Sequence, residues 1–161
     1  MKILFIQTGG TIDKDYPRKQ GGYAFEFGEP ATKRILENLD TQLEYEIVTA
    51  FQKDSLEINQ QDRDKLLNLI ENRPEQRIII THGTDTLIES ARFLESQLSK
   101  RCIVLTGAMR PERFSNSDAA INLGMALAAV QLLHDGVYIC IQGLVKQASL
   151  MRRKLENGSF Y

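Results

Sequence analysis

The sequence has too few cysteines and histidines for several common kinds of site. Among its 161 residues, Cys102 and Cys140 are the two cysteines, and both lie in apolar runs typical of buried strands. Two cysteines give no disulfide framework, and the two histidines, His82 and His134, add no zinc-ligand spacing. We therefore expect neither a disulfide scaffold nor a bound metal.

A strong net charge and a long apolar run are also missing. The formal net charge is −1, so the composition favours neither a nucleic acid nor an anionic membrane as partner. The first apolar run, residues 3–6, meets two glycines almost at once, which makes it too short for a signal peptide. No run approaches the length of a membrane span. We expect a soluble cytoplasmic protein.

The patterns that are present alternate between strand and helix five times. No repeat or linker interrupts them, and we expect one domain over residues 1–161. The alternation predicts an α/β fold: a doubly wound, flavodoxin-like, mostly parallel five-stranded sheet in the order 2-1-3-4-5, with helices on both faces. The predicted strands are 2–7, 44–51, 78–81, 102–106 and 137–141, and the predicted helices are 30–40, 60–72, 85–98 and 116–133.

Three further segments carry expectations of their own. Residues 14–29 are polar and show no period, so we interpret them as a long, mobile loop. The tail, residues 146–161, is basic and predicted to be irregular. The helix over 116–133, with Ser115 and Asp118 as candidate caps, is apolar on two sides, which is typical of a deeply buried helix or of one shared with another subunit.

The most informative stretch is the third strand and the residues after it. Gly83 allows a sharp turn, and Thr84, Asp85 and Thr86 then stand where a helix should begin. Helix capping explains part of this, because Thr86 and Glu89 fit a capping box. It does not explain three polar residues together with the glycine.

The predicted strand order brings polar side chains together. Strands 2, 1 and 3 lie side by side, and their carboxyl ends carry Ser55, Thr11, and Thr84 with Asp85. Gly9 and Gly10 before Thr11 lack the ending of a phosphate-binding loop and the third glycine of a dinucleotide fingerprint. We therefore interpret this glycine pair as a tight turn that places Thr11 in a crevice.

These residues favour threonine chemistry over serine–histidine chemistry. The sequence has no Gly-x-Ser-x-Gly elbow, and His82 is interpreted as a packed or turn histidine. A threonine hydroxyl needs a base or a nearby cation to act as a nucleophile. The residues leave the activator open among Asp85, Lys154, Lys146 and the tyrosines of the loop. They predict a hydrolase or transferase that uses threonine.

Three motifs together resemble the bacterial L-asparaginase/glutaminase family. They are residues 8–12 (TGGTI), 81–86 (THGTDT) and 106–111 (TGAMRP), at the ends of the first, third and fourth strands, in the order and spacing of that family. The resemblance runs over nearly the whole chain. It implies an amidohydrolase that converts L-asparagine, and possibly L-glutamine, to the acid and ammonia through a covalent β-aspartyl intermediate, without a cofactor.

The resemblance also implies roles for individual residues. Thr11 corresponds to the nucleophile and Tyr23 to the tyrosine that assists it, within a loop that closes as a lid. Thr84, Asp85 and a lysine correspond to the second catalytic group, and Asp85 binds the α-ammonium group of the substrate. The remaining substrate-binding positions are Ser55, Gly10 and Gly83.

The lysine of this group has three candidates. Lys154 fits best before the Gly158-Ser159-Phe160 sequence, whereas counting rigidly from the fifth strand gives Arg153. Lys146 is the third candidate. A basic run of this kind is also typical of a solvated surface or an anion-binding patch.

Two departures from the family pattern keep other functions open. Leu56 stands where many members have a polar residue, and the second α/β domain of longer members is absent. From this absence and the two-sided helix we expect a homodimer or higher oligomer. One alternative is the amide-splitting subunit of a tRNA-dependent amidotransferase. Another is a catalytically weak module that binds asparagine or aspartate.

Overall fold

The computed structural model describes residues 1–18, 22 and 24–161. Tyr23, a residue expected in the site, therefore lies outside the described residues. In chain order the helices and strands are β1 (Ile3–Gly9), β2 (Lys14–Asp15), β3 (Glu26–Phe27), α1 (Ala31–Glu37), β4 (Tyr45–Lys53), α2 (Gln60–Glu71), β5 (Arg77–Thr81), α3 (Leu87–Gln97), β6 (Cys102–Thr106), α4 (Ala119–Leu132), β7 (Gly136–Ile141) and β8 (Leu144–Gln147).

The main sheet has the order β4-β1-β5-β6-β7-β8. Its first five strands are parallel, which confirms the predicted order and the doubly wound fold. The sequence prediction was one strand short, because β8 pairs antiparallel with β7. Gln142 and Gly143 join the two strands, and both have positive φ, as a tight hairpin turn requires. The start of the tail is therefore regular, contrary to expectation.

The strands of the sheet are continuous apolar runs because a hydrophobic core layer lies on each face of the sheet. Alternate residues of β1 point to opposite faces, so that Leu4 and Ile6 pack with α2 and α3, whereas Ile3 and Phe5 pack with α1 and α4. Both faces of the sheet are covered, as in other parallel sheets. This arrangement leaves the strand ends as the part of the sheet that can meet a ligand.

Helix α4 is only half covered in the single chain. Leu123 and Val130 are buried, whereas Ile121 and Leu132 are 67% and 81% exposed. Asp118 precedes the helix but does not cap it with its side chain, which corrects the sequence prediction. Its carboxylate instead accepts hydrogen bonds from the backbone nitrogens of Met109 (3.0 Å) and Arg110 (3.2 Å).

The segment from residue 14 to 29 is not wholly irregular. Strands β2 and β3 pair there as a short antiparallel ribbon. Three rings, those of Tyr16, Phe25 and Phe114, pack together with centroid separations of 5.4 to 6.1 Å, and we call them the aromatic cluster. They join the ribbon to the loop after β6. Among the described residues, no helix is long and apolar enough to cross a bilayer.

Candidate active site

The ends of β1, β4 and β5 meet by direct contact of their backbones. A Cβ on Gly10 would overlap the backbone of Gly83, and a Cβ on Gly83 would lie 2.6 Å from the Ser55 Cβ. Gly10 also has a φ of +83°, which side-chain-bearing residues rarely adopt. Glycine is needed at both positions for the three strand ends to converge, as the sequence predicts.

Ser55 is tied to the turn after β5 by two hydrogen bonds. Its Oγ accepts from the backbone nitrogen of Asp85 (3.2 Å), and its carbonyl accepts from the Thr86 hydroxyl (2.8 Å). The capping box considered for Thr86 and Glu89 is therefore not formed, since Glu89 instead pairs with Arg63 at 2.9 Å. The polar residues of this turn hold the site together.

Thr11 and Thr84 occupy the two sides of this junction. Thr11 begins a 3₁₀ turn directly after Gly10 and is half-buried, whereas Thr84 is buried. The third motif packs against Thr84, because a Cβ on Gly107 would lie 3.6 Å from the Thr84 Cγ2. Among the described residues, no group forms a hydrogen bond with either hydroxyl. Neither hydroxyl is therefore engaged by a side chain or backbone group of the described residues.

The third motif is anchored by two residues that sequence analysis did not assign to the site. Asn122 donates to the Gly107 carbonyl (2.9 Å) and to the Asp118 carboxylate (2.8 Å). Asp118 in turn holds the backbone of the 109–110 turn. The sequence signal for this pair was the spacing of four residues between Asp118 and Asn122 at the start of a helix, because residues with this spacing lie on the same helical face.

Arg153 is the basic residue that reaches the site. Its Nη1 donates to the Asp85 Oδ1 (2.7 Å) and to the Thr84 carbonyl (3.0 Å). Lys154, the preferred candidate from the sequence, has its Nζ over the Tyr161 ring, 5.8 Å from the centroid. Lys146 lies on β8, paired with Ile139 of β7. Because a guanidinium stays protonated, Arg153 cannot act as a base for Thr84.

Lys14 supports the junction from the other side and was likewise not predicted. Its Nζ lies 2.6 Å from the Asp54 carboxylate, and the hydrogen bond from Lys14 lowers the pKa of Asp54. Next to it, Asp13 is buried and accepts a hydrogen bond from the backbone nitrogen of Ala31 (2.7 Å). Burial raises the pKa of Asp13 to about 6. The Asp13 hydrogen bond joins the chain before β2 to the start of α1, and the Asp54 ion pair joins β2 to the chain after β4.

His82 is a packed histidine, as the sequence interpretation has it. It is fully buried, and its Nδ1 donates to the Gly83 carbonyl at 2.8 Å. Burial lowers the pKa of His82 to about 4, so the ring is neutral near pH 7. Leu56, beside Ser55, is 75% exposed and gives the neighbourhood of Ser55 an apolar surface.

Comparisons with known proteins match this architecture. A family model described as "Asparaginase, N-terminal" matches residues 2–158. One glutamyl-tRNA(Gln) amidotransferase subunit, from Archaeoglobus fulgidus, is 31% identical over 150 residues, which cover 88% of this chain and 34% of the relative. An L-asparaginase of Bacillus licheniformis is 31% identical over 133 residues, covering 78% of this chain and 40% of the relative.

Solved structures match over the whole described fold. The thermostable L-asparaginase from Thermococcus kodakarensis superposes with a TM-score of 0.85 at 26% identity, covering 100% of this chain and 51% of that chain. The chain thus spans about a third to a half of the length of these relatives. The family model covers nearly the whole sequence, and the three motifs meet at the carboxyl ends of adjacent strands. The chain therefore belongs to the asparaginase family and corresponds to its N-terminal domain.

Proposed function

We propose that the chain is an amidohydrolase that converts L-asparagine to L-aspartate and ammonia, with Thr11 as the nucleophile. The observation that carries this proposal is the meeting of Thr11, Ser55 and the Thr84–Asp85 turn at the carboxyl ends of three adjacent strands. Ligands of open α/β sheets bind at such a junction. The site therefore has the hydroxyls that acyl transfer needs, next to a carboxylate that can hold an amino acid.

After substrate binding, the proposed reaction has two chemical steps, the formation of an ester with Thr11 and the hydrolysis of that ester. The Asp85 carboxylate binds the α-ammonium group, and the Ser55 hydroxyl binds the α-carboxylate, which directs the side-chain amide toward Thr11. The Thr11 oxygen loses its proton and bonds to the amide carbon, the C–N bond breaks, and the nitrogen takes up that proton and leaves as ammonia. Water then cleaves the ester and restores the threonine. We assign the assistance of Thr11 to Tyr23 and the second step to Thr84.

The first test is ammonia release from L-asparagine and L-glutamine by the purified chain. We expect release that falls about a thousandfold or more in Thr11→Ala and in Thr84→Ala, since each change removes a reacting or positioned hydroxyl worth several kcal/mol. Thr41→Ala, at an exposed threonine, is the matched control and should retain full activity. Undiminished activity in Thr11→Ala would remove Thr11 from the mechanism.

A second candidate is a catalytically weak module that binds asparagine or aspartate. Two observations favour it: the exposed Leu56 beside Ser55, and an arginine, which cannot deprotonate, at the position of the second catalytic group. Calorimetric binding of L-asparagine without ammonia release would support this function over hydrolysis.

The amidotransferase subunit is the third candidate, and the likeness to the Archaeoglobus fulgidus relative supports it. In this case the ammonia is passed to a partner enzyme. Ammonia release that appears only when such a partner and its aminoacyl-tRNA are added would favour this function over free hydrolysis.

A further inference from the structure

Arg153 is held more firmly than a surface arginine. An antiparallel bridge to Phe160 fixes its backbone, and its Nε donates to the Gly158 carbonyl at 3.2 Å. The guanidinium carbon lies 5.3 Å from the centroid of the Phe160 ring, within reach of a cation–π interaction. With its remaining contacts to the Thr84 carbonyl and Asp85, the guanidinium is fixed from both the tail and the site.

The ion pair between Arg153 and Asp85 engages only part of each group. The contact runs from one guanidinium nitrogen, Nη1, to one carboxylate oxygen, Oδ1. Among the described residues, no donor reaches the second oxygen, Oδ2, and the Asp85 side chain is 45% exposed. The carboxylate is thus oriented by Arg153 through one oxygen, while its second oxygen accepts no hydrogen bond from the described residues.

We propose that Arg153 is a positioning residue, whose guanidinium holds the Asp85 carboxylate and the Thr84 carbonyl so that Oδ2 of Asp85 receives the ammonium group of an α-amino acid. This inference rests on the proposed function, because it names the group that recognises the substrate. It also makes Arg153 a determinant of specificity: ligands with an α-ammonium group gain from the oriented carboxylate, and ligands without one do not.

The fork geometry of arginine is what this role requires. Three acceptors surround the guanidinium, namely the Thr84 carbonyl, the Asp85 carboxylate and the Gly158 carbonyl. A planar group with several fixed N–H bonds can serve all three at once, whereas a lysine ammonium is a single point of charge on a flexible stem. Lysine at this position would keep the charge and lose part of the orientation.

Calorimetry with two ligands tests this role when every chain also carries Thr11→Ala, which removes the proposed nucleophile so that neither ligand is consumed. One ligand is L-asparagine, and the other is succinamate, which is asparagine without its α-amino group. We expect the wild-type chain to prefer asparagine and Arg153→Met to lose this preference about tenfold or more while still binding succinamate as the wild type does. Arg153→Lys should restore the preference in part. Lys154→Met, which removes the neighbouring charge, should behave as the wild type.

The outcomes separate this role from a structural one. An equal loss of affinity for both ligands would show that Arg153 only stabilises the fold, and tighter asparagine binding in Arg153→Met would show that it competes with the substrate; either result overturns the proposal. If Arg153→Met does not fold, Arg153→Lys tests the role instead. A preference for asparagine that is weaker than in the wild type supports the role, and an unchanged preference overturns it. Absence of asparagine binding by the wild type would overturn the proposed function as well, whereas an unchanged preference in the variants would overturn only this role.

Discussion

At the scale of single residues, the site depends on positions that have no side chain. The backbones of Gly10 and Gly83 approach each other too closely for a Cβ between them, and Ser55, which follows the end of β4, packs against Gly83. The hydroxyls of the site are therefore placed by backbone contacts, which leave little room for adjustment. A methyl group at this junction must move at least one strand end.

Gly10→Ala is the first prediction at this scale. We expect it to lower the free energy of unfolding by about 3 kcal/mol or more, because the new Cβ meets the Gly83 backbone and the φ of +83° is strained for alanine. Urea unfolding measures the change. Gly28→Ala is the matched control: a Cβ there meets nothing within 4 Å, and we expect a change of about 0.5 kcal/mol or less. Equal effects of the two variants would contradict the close contact.

At the scale of elements, side-chain contacts attach the ribbon of β2 and β3 to the rest of the fold, and the pair of Lys14 and Asp54 at 2.6 Å is one of them. The aromatic cluster joins it to the loop after β6, and Arg113 pairs with Asp15 at 3.1 Å across the same boundary. Phe114 is the ring contributed by that loop, and it packs against both rings of the ribbon segment. Its removal should therefore loosen the segment around Tyr16 and Phe25, while Lys14 stays paired with Asp54.

Phe114→Ala tests this attachment. Each aromatic pair contributes about 1 kcal/mol, so the loss of two pairs should increase the rate of proteolytic cleavage within residues 14–29 about thirtyfold. Tyr45→Ala is the control, because Tyr45 is also a partly exposed ring but packs edge-to-face on Phe5 at the first strand of the sheet. A cleavage rate that does not differ between the two variants would show that the cluster does not hold the ribbon.

The elements also differ in how far the sequence could predict them. The run Ile78–Ile80 and the glycine pair at the end of β1 carry strong local signals, and the structure has a strand at the first and a change of chain direction with positive φ at the second. The ribbon could not be found, since strands of two residues have no period. Arg153 remained one of three candidates, because its position depends on a bridge to Phe160 that is formed across the tail.

At the scale of the whole molecule, one side of α4 is uncovered in the single chain. Ile121 and Leu132 expose their side chains on α4, and Val145 of β8 is also exposed. Apolar surface of this kind is typical of an interaction site. We propose, in line with the sequence expectation, that the chain forms a homodimer or higher oligomer through this face.

Leu132→Glu tests the assembly by light scattering. We expect the wild-type chain to be oligomeric at micromolar concentration and Leu132→Glu to shift it toward monomer, because a charge is costly to bury in an apolar interface. Leu155→Glu is the control, since Leu155 is 98% exposed but lies in the tail, away from α4. A monomeric wild type, or dissociation by the control alone, would contradict this interface.

The contact between Arg153 and Asp85 has a consequence for the synthesis of the protein. The strand ends that carry Thr11, Ser55 and Thr84 leave the ribosome well before the tail, and a nascent chain can already pair β4, β1 and β5. Arg153 and its bridge partner Phe160 emerge much later. Thr11, Ser55 and Thr84 are therefore synthesised well before the cation that orients the Asp85 carboxylate.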